Sequence, residues 1–269
     1  MSQPARYVQI GFDDPRLDDY RRVSDGDALR ERNLFVAEGR LVVGRLFDSG
    51  LQVVSLLVNE PSRRAMEDSI SRLPDDVPVY VCDTEAFGSI TGFNLHRGCL
   101  ALAVRPPERT LADVARDGDR LLVLEGITDP DNVGSAFRNA AAFGARVLLS
   151  PTCCDPLYRK AIRTSMGSVL AVPYARLNDW PGDLSAVKAL GFTLAALTPR
   201  AHARDLAACE AKGRMALLVG SEGPGLTPEA EQFADLALRI AMTGAVDSLN
   251  LATATGIALH HLSPPSSNP

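Results

Sequence analysis

Hydrophobic positions in the first 105 residues recur with two periods, one typical of helices and one typical of strands. Apolar residues lie on one face of residues 38–49 and Gly50 follows them, so this stretch predicts a helix that ends at the glycine. The spacing also indicates a helix over 63–73. Short apolar runs predict strands at 35–37, 53–58, 77–82 and 100–104. We therefore expect residues 1–105 to form a small α/β domain.

Paired prolines mark the end of this domain, in the segment Arg105-Pro106-Pro107-Glu108-Arg109. Proline interrupts both helices and central strands, so this segment is the best candidate for a boundary. We place a linker at 106–118, a second domain at 119–264, and a polar tail rich in proline and serine at 265–269.

Strands and helices alternate more regularly in the second domain. The hydrophobic pattern predicts strands at 121–124, 147–149, 169–172, 192–197, 215–219 and 236–240, and helices at 132–143, 157–164, 184–190 and 248–262. A further helix is expected to begin at Thr227-Pro228-Glu229, with threonine as its N-cap. This alternation predicts a mostly parallel sheet covered by helices on both faces. In such sheets ligands bind beyond the carboxyl ends of the strands.

The first of three unusual motifs follows the predicted strand 121–124. Its Asp129-Pro130-Asp131-Asn132 sequence predicts a turn, and Asn132 can cap the helix that follows. Arg138 comes six residues later, at helical spacing from Gly134. An ordinary cap and a surface arginine would give the same pattern.

The second motif is the glycine-rich segment 220–226, which follows the strand 215–219. Its three glycines would leave backbone amides and carbonyls open to a ligand, and Glu222 is its single carboxylate. The segment has neither the lysine of a phosphate-binding P-loop nor the G-x-G-x-x-G spacing of dinucleotide-binding proteins, which argues against a nicotinamide dehydrogenase. A plain turn made of glycine and proline remains an alternative.

The third motif follows the last predicted strand and opens the last predicted helix. Ser248 and Asn250 are the polar residues at its start, and small residues continue it up to Gly256. Such residues permit close packing of helix backbones. An N-cap on a tightly packed helix, with no further role, would also explain the motif.

Composition and charge narrow the class of protein. The 46% hydrophobic and 23% charged residues are close to the average of globular proteins. No segment is long and apolar enough for a membrane helix and the first residues lack the order of a signal peptide, so we expect a cytoplasmic protein. Five cysteines without a C-x-x-C pair predict neither a disulfide framework nor a metal site.

A net charge of −5 works against a simple nucleic-acid-binding protein, but a local basic cluster can act inside an acidic chain. Arg159, Lys160 and Arg163 form such a cluster. We interpret them as facing RNA, although an ordinary solvated helix face is the alternative. Arg40 and Arg97 are weaker candidates of the same kind.

Together, in this order and spacing, the three motifs resemble the signature motifs of the SpoU/TrmH branch of the SPOUT methyltransferases. The resemblance covers residues 121–262, and residues 35–40 are similar to the start of the ribosomal-protein-like RNA-binding domain that many members carry. It implies a C-terminal trefoil knot, S-adenosylmethionine as cofactor, an obligate homodimer and methylation of a ribose 2′-hydroxyl in RNA. The additional first domain favours ribosomal RNA over transfer RNA, by analogy only.

The resemblance also implies which residues form the site. The cofactor would be bound by Thr198, Gly220, Glu222, Gly223, Ile240, Met242, Ser248 and Leu249. The reactive set would be Asn132, Arg138, Glu222, Ser248 and Asn250, with Arg138 also contacting RNA and reaching the site from the partner subunit. Ala241 stands where the family usually has proline. Two alternatives stay open: a base methyltransferase on the same fold, and an RNA-binding or resistance protein without catalysis.

Overall fold

The computed structural model describes residues 6–23, 25–91, 98–243 and 246–263. The predicted tail 265–269 and the candidate Arg97 lie outside these residues. The chain divides into two compact units. The first contains Met1–Pro107 and Leu157–Leu170, and the second contains Glu108–Pro156 and Ala171–Pro269.

One segment therefore differs from the expected domain organisation. Residues Leu157–Leu170 were expected in the second domain, yet they cluster with the first unit. The physical reason is their burial there: Ala161 and Ile162 are fully buried, and Arg159 forms an ion pair with the buried Glu38 of the first unit.

The elements up to residue 107 alternate between short helices and strands. In chain order they are β1 (Tyr7–Gln9), a 3-10 turn (Pro15–Leu17), α1 (Asp18–Arg21), α2 (Gly26–Glu31), β2 (Leu34–Glu38), α3 (Arg40–Asp48), β3 (Val53–Asn59), α4 (Glu60–Ala65), α5 (Glu67–Ile70), β4 (Val79–Cys82), α6 (Thr84–Thr91) and β5 (Cys99–Val104). The helix predicted over 63–73 is thus two short helices that meet at Met66, whose φ of −114° departs from helical values.

The strands of the first unit form one mixed sheet. Among the described residues it has five strands in the order β1-β4-β3-β5-β2. β1, β4 and β3 are parallel, whereas β5 runs antiparallel to both β3 and β2. Gly39, with a φ of 89°, turns the chain from β2 directly into α3, which buries Val42, Val43 and Leu46.

The remaining elements follow the expected alternation. They are α7 (Leu111–Ala115), β6 (Arg120–Glu125), α8 (Pro130–Ala142), β7 (Arg146–Leu149), α9 (Arg159–Thr164), a 3-10 turn (Ser168–Leu170), β8 (Tyr174–Arg176), α10 (Leu184–Ala189), β9 (Phe192–Leu197), β10 (Arg204–Asp205), a 3-10 turn (Leu206–Ala208), β11 (Arg214–Gly220), α11 (Pro228–Gln232), β12 (Leu236–Arg239) and α12 (Leu251–Leu262). The strand predicted over 169–172 is wrong, because a 3-10 turn lies there and β8 begins at Tyr174.

The second unit contains a sheet in which every described strand pair is parallel, as predicted. Its seven described strands have the order β10-β12-β9-β11-β6-β7-β8. Leu121 and Val123 of β6 pack into a core with α7, α10 and α11, while α8 and α12 pack against each other and against other strands of the sheet. Continuous burial of β6 follows from this two-sided cover, since neither face of a central parallel strand meets water.

Candidate cofactor and catalytic site

A pocket of about 350 Å³ lies where β9, β11 and β12 end and α12 begins. Its size falls in the range of small-molecule sites. The pocket is lined by Leu197, Thr198, Pro199, Val219, Gly220, Ser221, Glu222, Gly223, Gly225, Ile240, Met242, Ser248, Leu249, Asn250, Leu251 and Ala254. All eight residues expected to bind a cofactor are among them, and so is Asn250 of the expected reactive set.

The glycine-rich loop after β11 closes on itself. A Cβ atom on Gly220 would lie 2.1 Å from the carbonyl carbon of Gly225, so no side chain fits there. Gly225 donates its backbone N–H to the carbonyl of Ser221 at 3.0 Å. Gly223 and Gly225 have φ values of 88° and 74°, which favour glycine. Glycine is therefore required at three positions of this loop. The loop is more constrained than a plain turn made of glycine and proline.

Glu222 connects the glycine-rich loop to the start of α12. Its Oε1 accepts hydrogen bonds from Nδ2 of Asn250 at 3.0 Å and from the backbone N–H of Leu251 at 3.4 Å. Oδ1 of Asn250 caps the helix by accepting from the N–H groups of Ala252 and Thr253. A carboxylate at the N-terminus of a twelve-residue helix is also favoured by the helix dipole. The second and third motifs thus meet in one hydrogen-bonded unit.

The last helix begins later than the sequence predicts. Asn250 is its N-cap and Leu251 its first residue, whereas the hydrophobic pattern placed the start at Ser248. Ser248 and Leu249 consequently lie in the preceding loop and line the pocket. The polar Ser248 is exposed, which leaves its hydroxyl group accessible to a ligand.

Glu125 is a functional candidate that the sequence reasoning missed. This carboxylate is only 6% exposed at the end of β6, where it is paired in register with Gly220 of β11. It accepts three hydrogen bonds: from the backbone N–H of Thr227 at 2.9 Å, from the hydroxyl of Thr227 at 2.7 Å, and from Nε1 of Trp180 at 2.7 Å. A glutamate that ends the apolar run 121–124 was the available signal. Glu125 fixes the point where the glycine-rich loop leaves the pocket.

A second carboxylate, Glu231, fixes the loop that carries the lining residues Thr198 and Pro199. Glu231 of α11 forms an ion pair with Arg200, and Nε2 of His202 lies 3.2 Å from its Oε1. Both partners belong to the loop that follows Thr198 and Pro199. The N–H of Thr198 in turn donates to the carbonyl of Leu238 at 2.9 Å, so this loop is fixed on both sides.

The character of the lining fits S-adenosylmethionine. Leu197, Val219, Ile240 and Leu249 form apolar walls suited to an adenine ring. The polar side chains of Thr198, Glu222, Ser248 and Asn250 suit the hydroxyl and amino groups of such a ligand.

The first motif lies outside this pocket. Asp129 caps α8 by accepting from the N–H of Asp131, and Pro130 occupies the first turn, so the prediction that Asn132 caps the helix is wrong. Arg138 is exposed and forms no ion pair with any described residue. Neither Asn132 nor Arg138 is among the described residues that line the pocket. The next residue, Asn139, donates to the carbonyl of Ala252 at 2.6 Å and joins α8 to α12.

The basic cluster 159–163 lies in the first unit, on α9. Arg159 is 15% exposed and its guanidinium pairs with Glu38. Arg163 is 44% exposed and lies 3.7 Å from the same carboxylate. The guanidinium of Arg163 is therefore more accessible to RNA than that of Arg159.

No helix in the described part of the chain is long and apolar enough to cross a membrane. The five cysteines carry free thiols.

The chain is similar to several known proteins. Residues 119–260 match the SpoU rRNA Methylase family. An uncharacterized tRNA/rRNA methyltransferase of Mycobacterium tuberculosis is 40% identical over 94% of this chain and 92% of its own. The 23S rRNA (guanosine(2553)-2′-O)-methyltransferase of Bacillus subtilis is 27% identical over 92% of this chain and 95% of its own. The crystal structure of an AdoMet-bound rRNA methyltransferase from Sinorhizobium meliloti superimposes with a TM-score of 0.82 at 27% identity, covering 96% of this chain and 98% of that one.

Proposed function

Because this chain belongs to the SpoU rRNA methylase family and is therefore an RNA methyltransferase that uses S-adenosylmethionine, we propose that its acceptor is a ribose 2′-hydroxyl in ribosomal RNA. The observation that carries the proposal is the pocket in which the glycine-rich loop and the start of α12 meet through Glu222 and Asn250. The Bacillus subtilis relative, a 23S rRNA guanosine 2′-O-methyltransferase, supports both the ribose and the ribosomal RNA.

Some residues of the chain bind the cofactor, and others activate the acceptor. Bound S-adenosylmethionine supplies an electrophilic methyl group on a sulfonium. The lining of the pocket holds this group in place, which lowers the barrier by proximity and orientation. A ribose hydroxyl is a weak nucleophile and has to be polarised. Ser248 and Asn250 present polar groups to the ribose from the mouth of the pocket.

Arg138 is assigned the role of orienting the ribose and stabilising negative charge on its oxygen. A guanidinium stays protonated in proteins, so Arg138 is unsuited to act as the general base. Its fixed positive charge would instead stabilise the developing alkoxide and an adjacent phosphate, and the hydroxyl proton would pass to solvent water beside the exposed Ser248 and Asn250. Asn132, in the first turn of the same helix, assists in placing the nucleotide. A lysine at position 138 would retain the charge and lose the planar, two-pronged hydrogen bonding.

Homodimer formation completes the site in this proposal. Arg138 is exposed, lacks an ion-pair partner among the described residues and lies outside the pocket lining. A second copy of the chain would bring its Arg138 to the pocket. From membership of the family we also propose its C-terminal trefoil knot, and a ribosomal-protein-like fold for the first unit.

A labelled methyl-transfer assay tests the RNA class and the role of Arg138. Tritiated S-adenosylmethionine is incubated with total RNA from a strain that lacks the gene. We expect label in ribosomal RNA, and label confined to transfer RNA would overturn that part of the proposal. The Arg138→Lys enzyme should lose on the order of 100-fold in kcat with unchanged cofactor affinity. Arg116→Lys is the matched control, because Arg116 is an exposed arginine with a local ion pair to Asp113.

Co-expression of two inactive variants tests the shared site. If Arg138 and Asn250 act from different subunits, about half of the dimers formed by Arg138→Ala and Asn250→Ala chains are mixed and have one intact site. The mixture should then regain about a quarter of wild-type activity. A mixture as inactive as each variant alone would show that both residues act within one chain.

A further inference from the structure

Two helices of the first unit carry exposed arginines for which the described residues provide little opposing charge. Resting on the proposed RNA methyltransferase function, we infer that α3 and α9 form one surface that binds RNA phosphates, with Arg40, Arg45 and Arg163 as its contacts. We call these three residues and the two helices that carry them the α3–α9 surface. Its two helices are about 120 residues apart in sequence, so hydrophobic periodicity alone does not join them.

Direct contacts join the two helices. Nη1 of Arg45 donates to the carbonyl of Met166 at 2.6 Å. The glycine that follows, Gly167, has a φ of 84° and lies so close that a Cβ there would be 3.3 Å from Cδ of Arg45. The stem of Arg45 therefore rests on the turn that ends α9, and its guanidinium lies at the junction of the two helices.

A buried carboxylate holds α9 in this position. Glu38 is 6% exposed at the end of β2, immediately before the turn into α3. It forms an ion pair with the largely buried Arg159. Ionised groups this deeply buried need a partner, so this pair acts as an anchor, and removing either member leaves an uncompensated charge. Arg159 thus anchors α9, and the expectation that it also faces RNA stays a prediction.

The exposed cations of the α3–α9 surface are poorly neutralised. Arg40 and Arg45 form no ion pair with any described residue, and Arg163 lies 3.7 Å from a carboxylate that already serves Arg159. Elsewhere in the unit, four exposed arginines are paired with nearby carboxylates: Arg16 with Asp14, Arg32 with Asp19, Arg64 with Glu60, and Arg72 with Asp48. The exposed Arg22 and Arg30 form no ion pair with a described residue, but they lie outside α3 and α9. In a chain of net charge −5, this local excess is a site for an anionic partner.

The chemistry of the three residues favours phosphate groups as that partner. All three are arginines, whose planar guanidinium matches phosphate oxygens with two parallel hydrogen bonds. RNA presents a phosphate at every nucleotide, so several such contacts act together and release bound counterions. The expected signature is an affinity that falls steeply with salt concentration.

Binding is measured without methylation, by fluorescence anisotropy with a labelled single-stranded RNA of about 20 nucleotides over about 50 to 300 mM salt. The test protein carries Arg40→Gln, Arg45→Gln and Arg163→Gln. The matched control carries Arg32→Gln, Arg64→Gln and Arg72→Gln, which make the same change in charge at exposed, ion-paired positions. Cofactor affinity and melting temperature are measured on both proteins, and both should be close to wild type.

We expect the test protein to bind RNA at least tenfold more weakly and its log–log salt slope to decrease by about 2, since each lost phosphate contact on single strands removes about 0.7. The control should stay within about twofold of wild type. Equal weakening in both proteins would overturn the inference, because it would reveal a general charge effect. Stronger binding to polyglutamate than to RNA would also overturn it, in favour of an acidic protein partner.

The assay separates this inference from the proposed function. A wild-type protein that binds RNA through the α3–α9 surface but transfers no methyl group would refute the proposed function and leave the inference standing. A test protein with unchanged RNA affinity would refute the inference, whatever the methylation assay shows.

Discussion

Glu125 gives the sharpest prediction about how the cofactor pocket is held together. Its carboxylate receives three hydrogen bonds from Trp180 and Thr227, in the loops on either side of it. In the Glu125→Gln variant, one acceptor oxygen is replaced by an amide group that donates. Wherever this amide group points, it faces an N–H group that can only donate: Nε1 of Trp180 at one oxygen position and the backbone N–H of Thr227 at the other.

The structure sets the size of the effect. At least one charge-assisted hydrogen bond is lost and the others become neutral, and each bond to a charged group contributes about 1.5 to 3 kcal/mol. Relief of the desolvation of a buried carboxylate offsets part of this loss. We therefore expect the variant to lose about 2 to 4 kcal/mol in the free energy of unfolding. Because Thr227 directly follows the glycine-rich loop, cofactor affinity should fall by about tenfold, or 1.4 kcal/mol.

Urea unfolding followed by circular dichroism measures the stability, and calorimetry measures cofactor binding. Trp180 is the only tryptophan in the chain, so its fluorescence under native conditions reports directly whether its loop has moved. The Trp180→Phe variant removes one of the three hydrogen bonds and should lose less stability than Glu125→Gln. Glu210→Gln is the control, since Glu210 is 79% exposed and its one ion pair among the described residues is with the exposed Lys212.

A double-mutant cycle measures whether Glu125 and Trp180 act through the same hydrogen bond. The double variant of Glu125 and Trp180 should lose less stability than the sum of the single variants, because they share one hydrogen bond. If Glu125→Gln kept both the stability and the cofactor affinity of the wild type, the carboxylate would have no positioning role and the reasoning would be refuted.

Three further predictions concern stability and reactivity. Burial alone raises the pKa of Asp235, but hydrogen bonds from Lys188 and a backbone N–H lower it overall, so Asp235→Asn should cost about 1 kcal/mol near pH 7 after solvent screening. Because the pKa of Asp235 is lower in the folded than in the unfolded state, its carboxylate stabilises the fold at pH values above the unfolded pKa. The difference in urea midpoint between the wild type and the variant should therefore vanish as the pH falls below the usual range of aspartate. Burial raises the pKa of Cys154 to about 11, so its alkylation by iodoacetamide at pH 8 should be about 100-fold slower than that of an unperturbed thiol and should accelerate in urea. Arg120 is buried and donates to three backbone carbonyls, so Arg120→Met should lose about 2 to 5 kcal/mol in urea unfolding, whereas the exposed Arg116→Ala should lose less than about 0.5.

Hydrophobic periodicity was sufficient for the parallel sheet of the second unit, because its central strands are buried on both faces and appear as continuous apolar runs. Periodicity failed where local geometry decides the structure. The strand predicted at 169–172 is a 3-10 turn, and the short β1 and α6 have too few apolar residues to predict an element. Caps were also ambiguous, since Asp129 and Asn132 are both suitable N-caps and only the fold shows which is used.

The pocket could be predicted from the resemblance of its motifs, but not from periodicity. What the sequence could not indicate was the pairing of distant residues. Glu38 and Arg159 are 121 positions apart, and Glu125 and Thr227 are 102 apart, yet both carboxylates are buried by these contacts. A buried charge is recognisable only when its partner is known, so the sequence could not show that Arg159 pairs with Glu38.

The chemical identity of the methylated product tests the central claim most directly. Ribosomal RNA labelled by the wild-type enzyme is hydrolysed with alkali, which cleaves RNA only where a free 2′-hydroxyl is present. Methylation of the ribose predicts that the label is recovered in an alkali-resistant dinucleotide, and that Arg138→Ala produces none. Label released as a methylated mononucleotide would contradict the account and would identify the enzyme as a base methyltransferase.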